Sequence, residues 1–389
     1  MLQQHKFPWF IRNIFVLHCQ QLLHELDCKL YHNHISKGGS IDDTSDKLRT
    51  VKENAECHFQ LYKSKGQHLL TSGWVLDSIV KSSNIKATDT VLEIGPGTGN
   101  LTLRLLQAAS KVVAIEIDKR MAEALQKRVA ECGLEDRLTL ICEDAMKTEF
   151  PHFDLVVANI PYGISSPLIA KLLFGTRPFR SATLLLQKEF ACRLLANPGD
   201  SEFNRLAVNV KLVAEVEHVM NVSKRDFFPV PKVDSSVVII RPKVDIPQID
   251  LNEWCAFTRT CFSKKNKTLG ATFKQKKKLN ELMRISCFIS VNKETPMLHP
   301  SSESSDKYED AESVEVLSDS TPSLETRVSL FKEKVIKILR TSGFEDKRPL
   351  KISIEELLHL LSLFNENKIY FHGNEKDVSN TALDTFFES

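Results

Sequence analysis

Hydrophobic residues follow two alternating spacings between residues 71 and 200 of the chain. Short apolar runs, typical of buried strands, are separated by segments with apolar residues at every third or fourth position, which predict amphipathic helices. The strand-like runs are TVLEI, KVVAIEI, LTLIC, FDLVVA and ATLLLQ, and the helix-like segments include NLTLRLLQAA, RMAEALQKRVAEC and SPLIAKLLF. Because strands that alternate with helices form parallel sheets, the pattern predicts an α/β fold with a doubly wound sheet.

The pattern changes outside this region and divides the chain into predicted domains. A helical stretch, NRLAVNVKLV, precedes VEHVMNVS and SSVVIIRP, which predict an antiparallel pair of strands. We place the α/β domain at residues 61–245 and a small basic helical domain at 246–290. Residues 291–325 are rich in Ser, Asp and Glu and predict a disordered acidic linker, and residues 326–389 predict a helical tail. Residues 1–60 lack clear periodicity and form an N-terminal extension.

Composition excludes several classes of protein. No apolar stretch approaches the roughly 18 to 20 residues that a membrane helix needs, so we expect no membrane partner. The nine cysteines are odd in number, scattered and never spaced CxxC, which argues for reduced thiols and against a zinc site or a disulfide framework. The sequence therefore predicts no metal site.

Charge is unevenly distributed along a chain whose formal net charge is only +2. From Trp254 to Asn280 there is no acidic residue, and eight residues are basic. Such a block indicates a polyanionic partner, and a solvated helical face is the alternative. The first 24 residues are also free of acids, which is compatible with an organellar transit peptide or with a flexible or partly docked extension.

A glycine-rich loop follows the first of the strand-like runs. In VLEIGPGTGNLT, the glycines Gly95, Gly97 and Gly99 lie between a strand and a helix, where they allow a tight turn and a close approach of the backbone to a ligand. A dinucleotide-binding loop reads GxGxxG, but Asn100 follows Gly99 here and the spacing is GxGxG. This spacing disfavours a dehydrogenase and suits a nucleoside cofactor without a pyrophosphate.

Polar side chains follow the next strands of the predicted sheet. Glu116 ends KVVAIEI, Asp144 follows LTLIC, and Asn159 follows FDLVVA. Because parallel strands end at one edge of the sheet, these groups and Gly95 should converge there, with Glu116 suited to a ribose and Asp144 to an adenine amino group. Taken singly, Asp144 could be a helix N-cap and Glu116 a solvated charge. Together they predict S-adenosylmethionine rather than a nicotinamide.

The segment ANIPYGIS, at the end of the FDLVVA strand, supplies candidate chemistry. Asn159 and Pro161 alone could simply form a turn. Beside a methyl donor, however, the Asn159 side-chain oxygen and the Ile160 carbonyl can accept the two N–H groups of a nucleobase amine and aim its lone pair at the methyl carbon. Tyr162 can stack on the base. This chemistry requires neither a metal nor a strong base.

These motifs resemble the ribosomal RNA adenine dimethyltransferase family in its eukaryotic and archaeal form. The resemblance runs from about Lys63 to Leu282 and rests on KGQHLL, LEIGPGTGNLT, EID, ED, ANIPYGISSPL, FFPVPKVDSSVV and FSKKNKTLGATFK. It implies a Rossmann-like class I methyltransferase sheet with a small C-terminal helical domain. The implied substrate is two adjacent adenines in the last stem-loop of small-subunit rRNA, each receiving two methyl groups on its exocyclic nitrogen.

The resemblance also implies roles for single residues. His68 and Leu70 would contact the methionine end of the cofactor, and Gly95 and Gly97 would form the floor of the site. Glu116 would hold the ribose and Asp144 the adenine. Asn159 would contact both cofactor and target amine, and Phe227 would stack on the target base opposite Tyr162. The implied partners are small-subunit rRNA and the pre-ribosomal small subunit. The protein is expected to be a monomer, and its lysines would contact RNA phosphates.

Two features depart from the family's pattern. Most relatives lack an acidic insert, and the N-terminal extension is longer than the short basic arm of nuclear members. We therefore expect a mitochondrial protein, with the nucleolus as the alternative. Two rival functions are a non-catalytic ribosome assembly or transcription factor that keeps the fold, and a methyltransferase for proteins or small molecules. The full set of strand-end residues favours an active enzyme, and the NIPY cluster favours a nucleobase substrate.

Overall fold

The computed structural model describes residues 67–294 and 323–373 of the chain. The N-terminal extension with its predicted transit peptide, most of the predicted acidic linker and the last part of the tail lie outside the described residues. At the edges of the linker, one helix continues to Glu294 and the next begins at Leu324.

Strands and helices alternate in the first part of the described region, and only helices follow the last strand. The strands are β1 Leu69–Leu70, β2 Thr90–Ile94, β3 Lys111–Ile115, β4 Leu138–Ile141, β5 Leu155–Asn159, β6 Ala182–Gln187, β7 Ala214–Val222, β8 Phe227–Phe228 and β9 Ser235–Pro242. The helices are α1 Gly73–Ser82, α2 Asn100–Ala108, α3 Lys119–Glu131, α4 Ser165–Phe174, α5 Lys188–Leu195, α6 Arg205–Val213, α7 Leu251–Phe262, α8 Leu269–Phe273, α9 Lys276–Glu294, α10 Leu324–Thr341 and α11 Ile354–Glu366.

Seven of the described strands form one sheet, in the order β4-β3-β2-β5-β6-β9-β7. The pairs β2–β3, β3–β4, β2–β5 and β5–β6 are parallel, which confirms the predicted α/β class. Chain order reverses at β2, because β3 and β4 lie on one side of it and β5 and β6 on the other. Ligands of open α/β sheets bind beyond the carboxyl ends of the strands at such a reversal.

Burial explains why the apolar runs form the inner strands. Val91, Val112 and Leu155, on β2, β3 and β5, are all 0% exposed. They belong to one hydrophobic cluster with Leu105 of α2 and Leu125 of α3. Parallel strands that are covered on both faces carry continuous apolar runs, as these do.

The described residues divide into two compact units. The first contains the described residues up to Ile164 together with Pro178–Leu186 and Val219–Val237, and the second contains Ser165–Arg177, Gln187–His218 and the described residues from Val238 onward. These units are not consecutive stretches of chain. The predicted boundaries, which assume consecutive stretches, therefore stay predictions.

The tail helices pack within the second unit. The Phe371 ring centroid lies 5.0 Å from that of Phe257 on α7 and 5.4 Å from that of Phe364 on α11. The buried carboxylate of Glu253 accepts the backbone N–H groups of Phe371 and His372, at 2.9 and 2.7 Å. The predicted helical tail is thus anchored to α7 by an aromatic cluster and by charge-assisted hydrogen bonds.

Candidate active site

A cavity of about 410 Å³ opens within the first unit, where β2, β3 and β5 end. The sequence-predicted residues that line it are His68, Leu70, Gly95, Gly97, Glu116, Asp144, Asn159, Ile160, Pro161 and Tyr162. These residues are far apart in the chain, and the parallel sheet brings them together because its strands end at one edge. Among the predicted site residues, Phe227 alone does not line the cavity.

The glycine loop packs closely against two other walls of the cavity. Gly97 has φ +57°, and a Cβ atom there would lie 2.8 Å from Cδ2 of Leu69. Gly95 has φ +69°, and its Cβ would lie 3.1 Å from Cδ of Pro161. The left-handed backbone at both positions and the 2.8 Å contact at Gly97 favour glycine, so the loop can form the floor of a ligand site.

Glu116 is held at the end of β3 by main-chain donors. Its Oε2 atom accepts the N–H of Gly97 at 3.1 Å, and its Oε1 atom accepts the N–H of Asp118 at 2.9 Å. Each carboxylate oxygen can accept a further hydrogen bond, so the pair matches the two hydroxyls of a ribose. Burial raises the pKa of Glu116, while the two backbone donors favour the charged form.

Asp144 has a structural bond as well as a place in the cavity wall. Its Oδ1 atom accepts the backbone N–H of Met146 at 2.9 Å, which fixes the turn after β4. Asp144 therefore caps a turn through one oxygen, and the helix N-cap alternative is not realised because no helix begins there. The carboxylate keeps acceptor capacity for an amino group in the cavity.

Asn159 is oriented by a neighbouring main-chain carbonyl. Its Nδ2 atom donates to the carbonyl oxygen of His68 at 3.3 Å. This bond occupies the amide nitrogen and leaves the Oδ1 acceptor for another donor. The amide can therefore receive an N–H of a bound amine, as the sequence predicts.

Tyr162 is held by two partners, of which Ser235 was not identified as a site residue from the sequence. Its hydroxyl lies 2.7 Å from Oγ of Ser235, which is fully buried. The ring stacks near His68, with centroids 6.3 Å apart and an interplanar angle of 26°. His68 in turn donates from Nδ1 to the carbonyl oxygen of Pro229 at 2.6 Å. Ser235 lies in the FFPVPKVDSSVV motif, and this motif was the sequence signal that could have identified it as a site residue.

The structure places Phe227 in the hydrophobic core and not in the cavity wall, so its stacking on a target base stays a prediction. Its ring is 2% exposed and belongs to the hydrophobic core. It is paired with Leu70 across the two-stranded sheet of β1 and β8. The following residue, Phe228, is 62% exposed instead.

Glu93, on β2, is a buried acid that the sequence reasoning did not identify. It is 1% exposed, lines the cavity, and its Oε2 atom has no hydrogen-bond partner. Burial, with a smaller contribution from the charge of Glu116, raises the pKa of Glu93 from 4.5 to about 8. The side chain is therefore mainly protonated at neutral pH in the absence of ligands.

Replacing Glu93 should change how stability depends on pH. The folded state keeps a proton on Glu93 that the unfolded state releases above pH 4.5, so the free energy of unfolding should fall as pH rises toward about 8. We expect Glu93→Gln to remove this component, since glutamine is neutral throughout. Urea unfolding of both proteins from pH 5 to pH 9 measures it. Parallel curves for wild type and Glu93→Gln would contradict the assignment, and Glu131→Gln, at an exposed position, is the matched control.

The basic segment belongs to the second unit, and parts of it are paired with acids. Lys274 contacts Glu345 at 2.8 Å and Lys278 contacts Glu281 at 3.0 Å. The exposed lysines include Lys264, Lys267, Lys276 and Lys277.

Within residues 67–294 and 323–373, no group of three or more His, Cys, Asp or Glu residues could hold a metal ion. In the same ranges no helix is long and apolar enough to cross a membrane.

The chain is similar to several known proteins. A family model described as ribosomal RNA adenine dimethylase matches residues 58–307. The mitochondrial ribosomal RNA small subunit methyltransferase of Arabidopsis thaliana is 62% identical over 325 residues, covering 83% of this chain and 83% of that protein. The dimethyladenosine transferase of Saccharomyces cerevisiae is 39% identical and covers 84% of this chain and 96% of that protein. The crystal structure of a dimethyladenosine transferase from Plasmodium falciparum has 40% identity and a TM-score of 0.65, covering 78% of this chain and 100% of that chain.

Proposed function

Because the chain belongs to the ribosomal RNA adenine dimethylase family, we propose that it methylates two adjacent adenines in the 3′-terminal stem-loop of small-subunit rRNA. Each adenine would receive two methyl groups on its exocyclic nitrogen. The observation that carries this proposal is the meeting of Glu116, Asn159 and Tyr162 in one cavity above the glycine loop. The cofactor is S-adenosylmethionine, which supplies an electrophilic methyl group when bound.

The cavity residues fit that cofactor. Glu116 would accept from the ribose hydroxyls, and Asp144 would accept from the adenine amino group. Gly95 and Gly97 would form the floor, and His68 and Leu70 would contact the methionine end. Glu116 and Asp144 offer hydrogen-bond acceptors where the ligand has donors, and the two glycines allow a close approach of the backbone. Leu70 offers an apolar wall to an apolar surface of the ligand.

Asn159 would prepare the target amine for methyl transfer. The lone pair of an adenine amine is delocalised into the ring, so the amine is a weak nucleophile until the lone pair is localised. Asn159 Oδ1 and the Ile160 carbonyl, held by Pro161, would accept its N–H groups and orient it, while Tyr162 stacks on the base. After the first transfer one N–H remains for Asn159 to hold. The proton released at each transfer leaves to solvent.

Ser235 should support this step through Tyr162. Without the serine hydroxyl, the Tyr162 ring loses its partner at 2.7 Å and its orientation is less fixed. We expect Ser235→Ala and Tyr162→Phe each to lower kcat about 5- to 10-fold, and the double variant to lose little more, because both remove the same bond. Steady-state kinetics measures this coupling. Ser236→Ala is the matched control, since the Ser236 hydroxyl donates to Asn221 instead; fully additive losses would rule the coupling out.

Methyl transfer to ribosomal subunits tests the proposed function. Purified protein is incubated with labelled S-adenosylmethionine and unmethylated small subunits, and the product is located by primer extension. We expect dimethyladenine at two adjacent adenines near the rRNA 3′ end. Binding of cofactor and subunit with no methyl transfer would instead support a non-catalytic assembly factor.

We further propose that the protein acts in mitochondria as a monomer and binds the pre-ribosomal small subunit. A relative that is 62% identical is named as mitochondrial, and the first 24 residues of this chain contain no acid. Fusing residues 1–60 to a fluorescent protein tests the location. A nucleolar or diffuse signal would exclude mitochondrial import by this segment. Light scattering of the purified protein tests the monomer.

A further inference from the structure

Phe228 is an exposed aromatic residue on the short sheet formed by β1 and β8. Its side chain is 62% exposed, whereas that of Phe227 is 2% exposed. The difference arises because successive residues of a strand point to opposite faces. The two phenylalanines therefore belong to different surroundings, one to the core and the other to solvent.

Strand pairing places Phe228 beside a residue of the cavity wall. Phe228 lies directly opposite Leu69, and residues opposite each other in an antiparallel pair project from the same face. Leu69 lines the cavity and packs against Gly97 of the glycine loop. The next residue, Pro229, accepts the hydrogen bond from His68, whose ring stacks near Tyr162. Phe228 is thus at the rim of the cavity, one residue from the contacts that hold Tyr162.

We propose that Phe228 is a stacking platform for the nucleotide next to the target adenine. This inference rests on the proposed function, because a neighbouring base exists only in a nucleic acid substrate. An adenine that enters the cavity leaves its stack, and the adjacent base loses one of its stacking faces. An exposed aromatic ring at the rim replaces that face for any base, because every base presents a π surface.

Substitutions at Phe228 test the platform in the full-length protein. We expect Phe228→Ala to lower kcat/KM for unmethylated small subunits about fivefold or more, with the dissociation constant for S-adenosylmethionine unchanged. Phe228→Trp should restore the value, whereas Phe228→Leu, which is apolar but not aromatic, should not. Phe288→Ala is the matched control, because Phe288 is 49% exposed on α9 and does not line the cavity. Thermal unfolding confirms that the variants fold.

The results distinguish a failure of the platform role of Phe228 from a failure of the proposed function. If wild type methylates the subunits and Phe228→Ala does so equally well, the platform is excluded and the proposed function stands. If Phe228→Leu matches wild type, the contact is apolar, as with a ribosomal protein, and stacking is excluded. If wild type moves no methyl group to the subunits, the proposed function fails and the platform fails with it.

Discussion

Asn159→Ala is expected to lower kcat for rRNA methylation about 100- to 1000-fold, which is the range seen when one preorganised polar contact is removed from an active site. The structure gives the reason. The amide nitrogen donates to the His68 carbonyl, so the amide is held with Oδ1 available to accept from the target amine. Alanine removes this acceptor, and the amine keeps its lone pair delocalised in the ring.

Asn159→Asp separates the ability of the side chain to accept a hydrogen bond from its orientation by the His68 carbonyl. A carboxylate still accepts an N–H, but it cannot donate to the His68 carbonyl and is repelled by it. We therefore expect activity between those of Asn159→Ala and wild type. Single-turnover methylation measures the chemical step, and calorimetry measures cofactor binding. Asn367→Ala, at an exposed position after α11, is the control. A wild-type kcat for Asn159→Ala would contradict the proposed role of Asn159 in accepting an N–H of the target amine.

Glu116→Ala is expected to weaken S-adenosylmethionine binding about 100-fold or more, since charge-assisted hydrogen bonds contribute roughly 1.5 to 3 kcal/mol each. The variant loses the acceptors proposed for the ribose, and it also leaves the N–H groups of Gly97 and Asp118 without their partner. The glycine loop should therefore be less well ordered in the variant.

Binding calorimetry of the full-length protein measures the Glu116 effect. Affinity of the wild type should fall as pH decreases through the raised pKa of Glu116, because the protonated side chain loses an acceptor. Glu123→Ala removes an exposed acid from the adjacent α3 helix and should bind normally. Equal affinity of Glu116→Ala and Glu123→Ala would show that Glu116 does not hold the cofactor.

The sequence by itself determined the sheet and most of the candidate site. Continuous apolar runs that alternate with amphipathic helical segments are typical of a parallel sheet covered on both faces, and parallel strands end at one edge. The positions of Gly95, Glu116, Asp144 and Asn159 at successive strand ends therefore predicted their convergence, which the structure confirms. Local backbone needs also follow from sequence, as with the left-handed conformation at Gly97.

Tertiary structure alone decided which side chains are buried and what they contact. In the pair Phe227 and Phe228, both residues are aromatic, so composition cannot tell which one faces the core; the pairing of β8 with β1 decides it. Ser235 reaches Tyr162 across 73 positions of sequence, and the pKa of Glu93 depends on the atoms packed around it. Periodicity is a local property of the chain, whereas desolvation and long-range contacts arise only when distant segments come together.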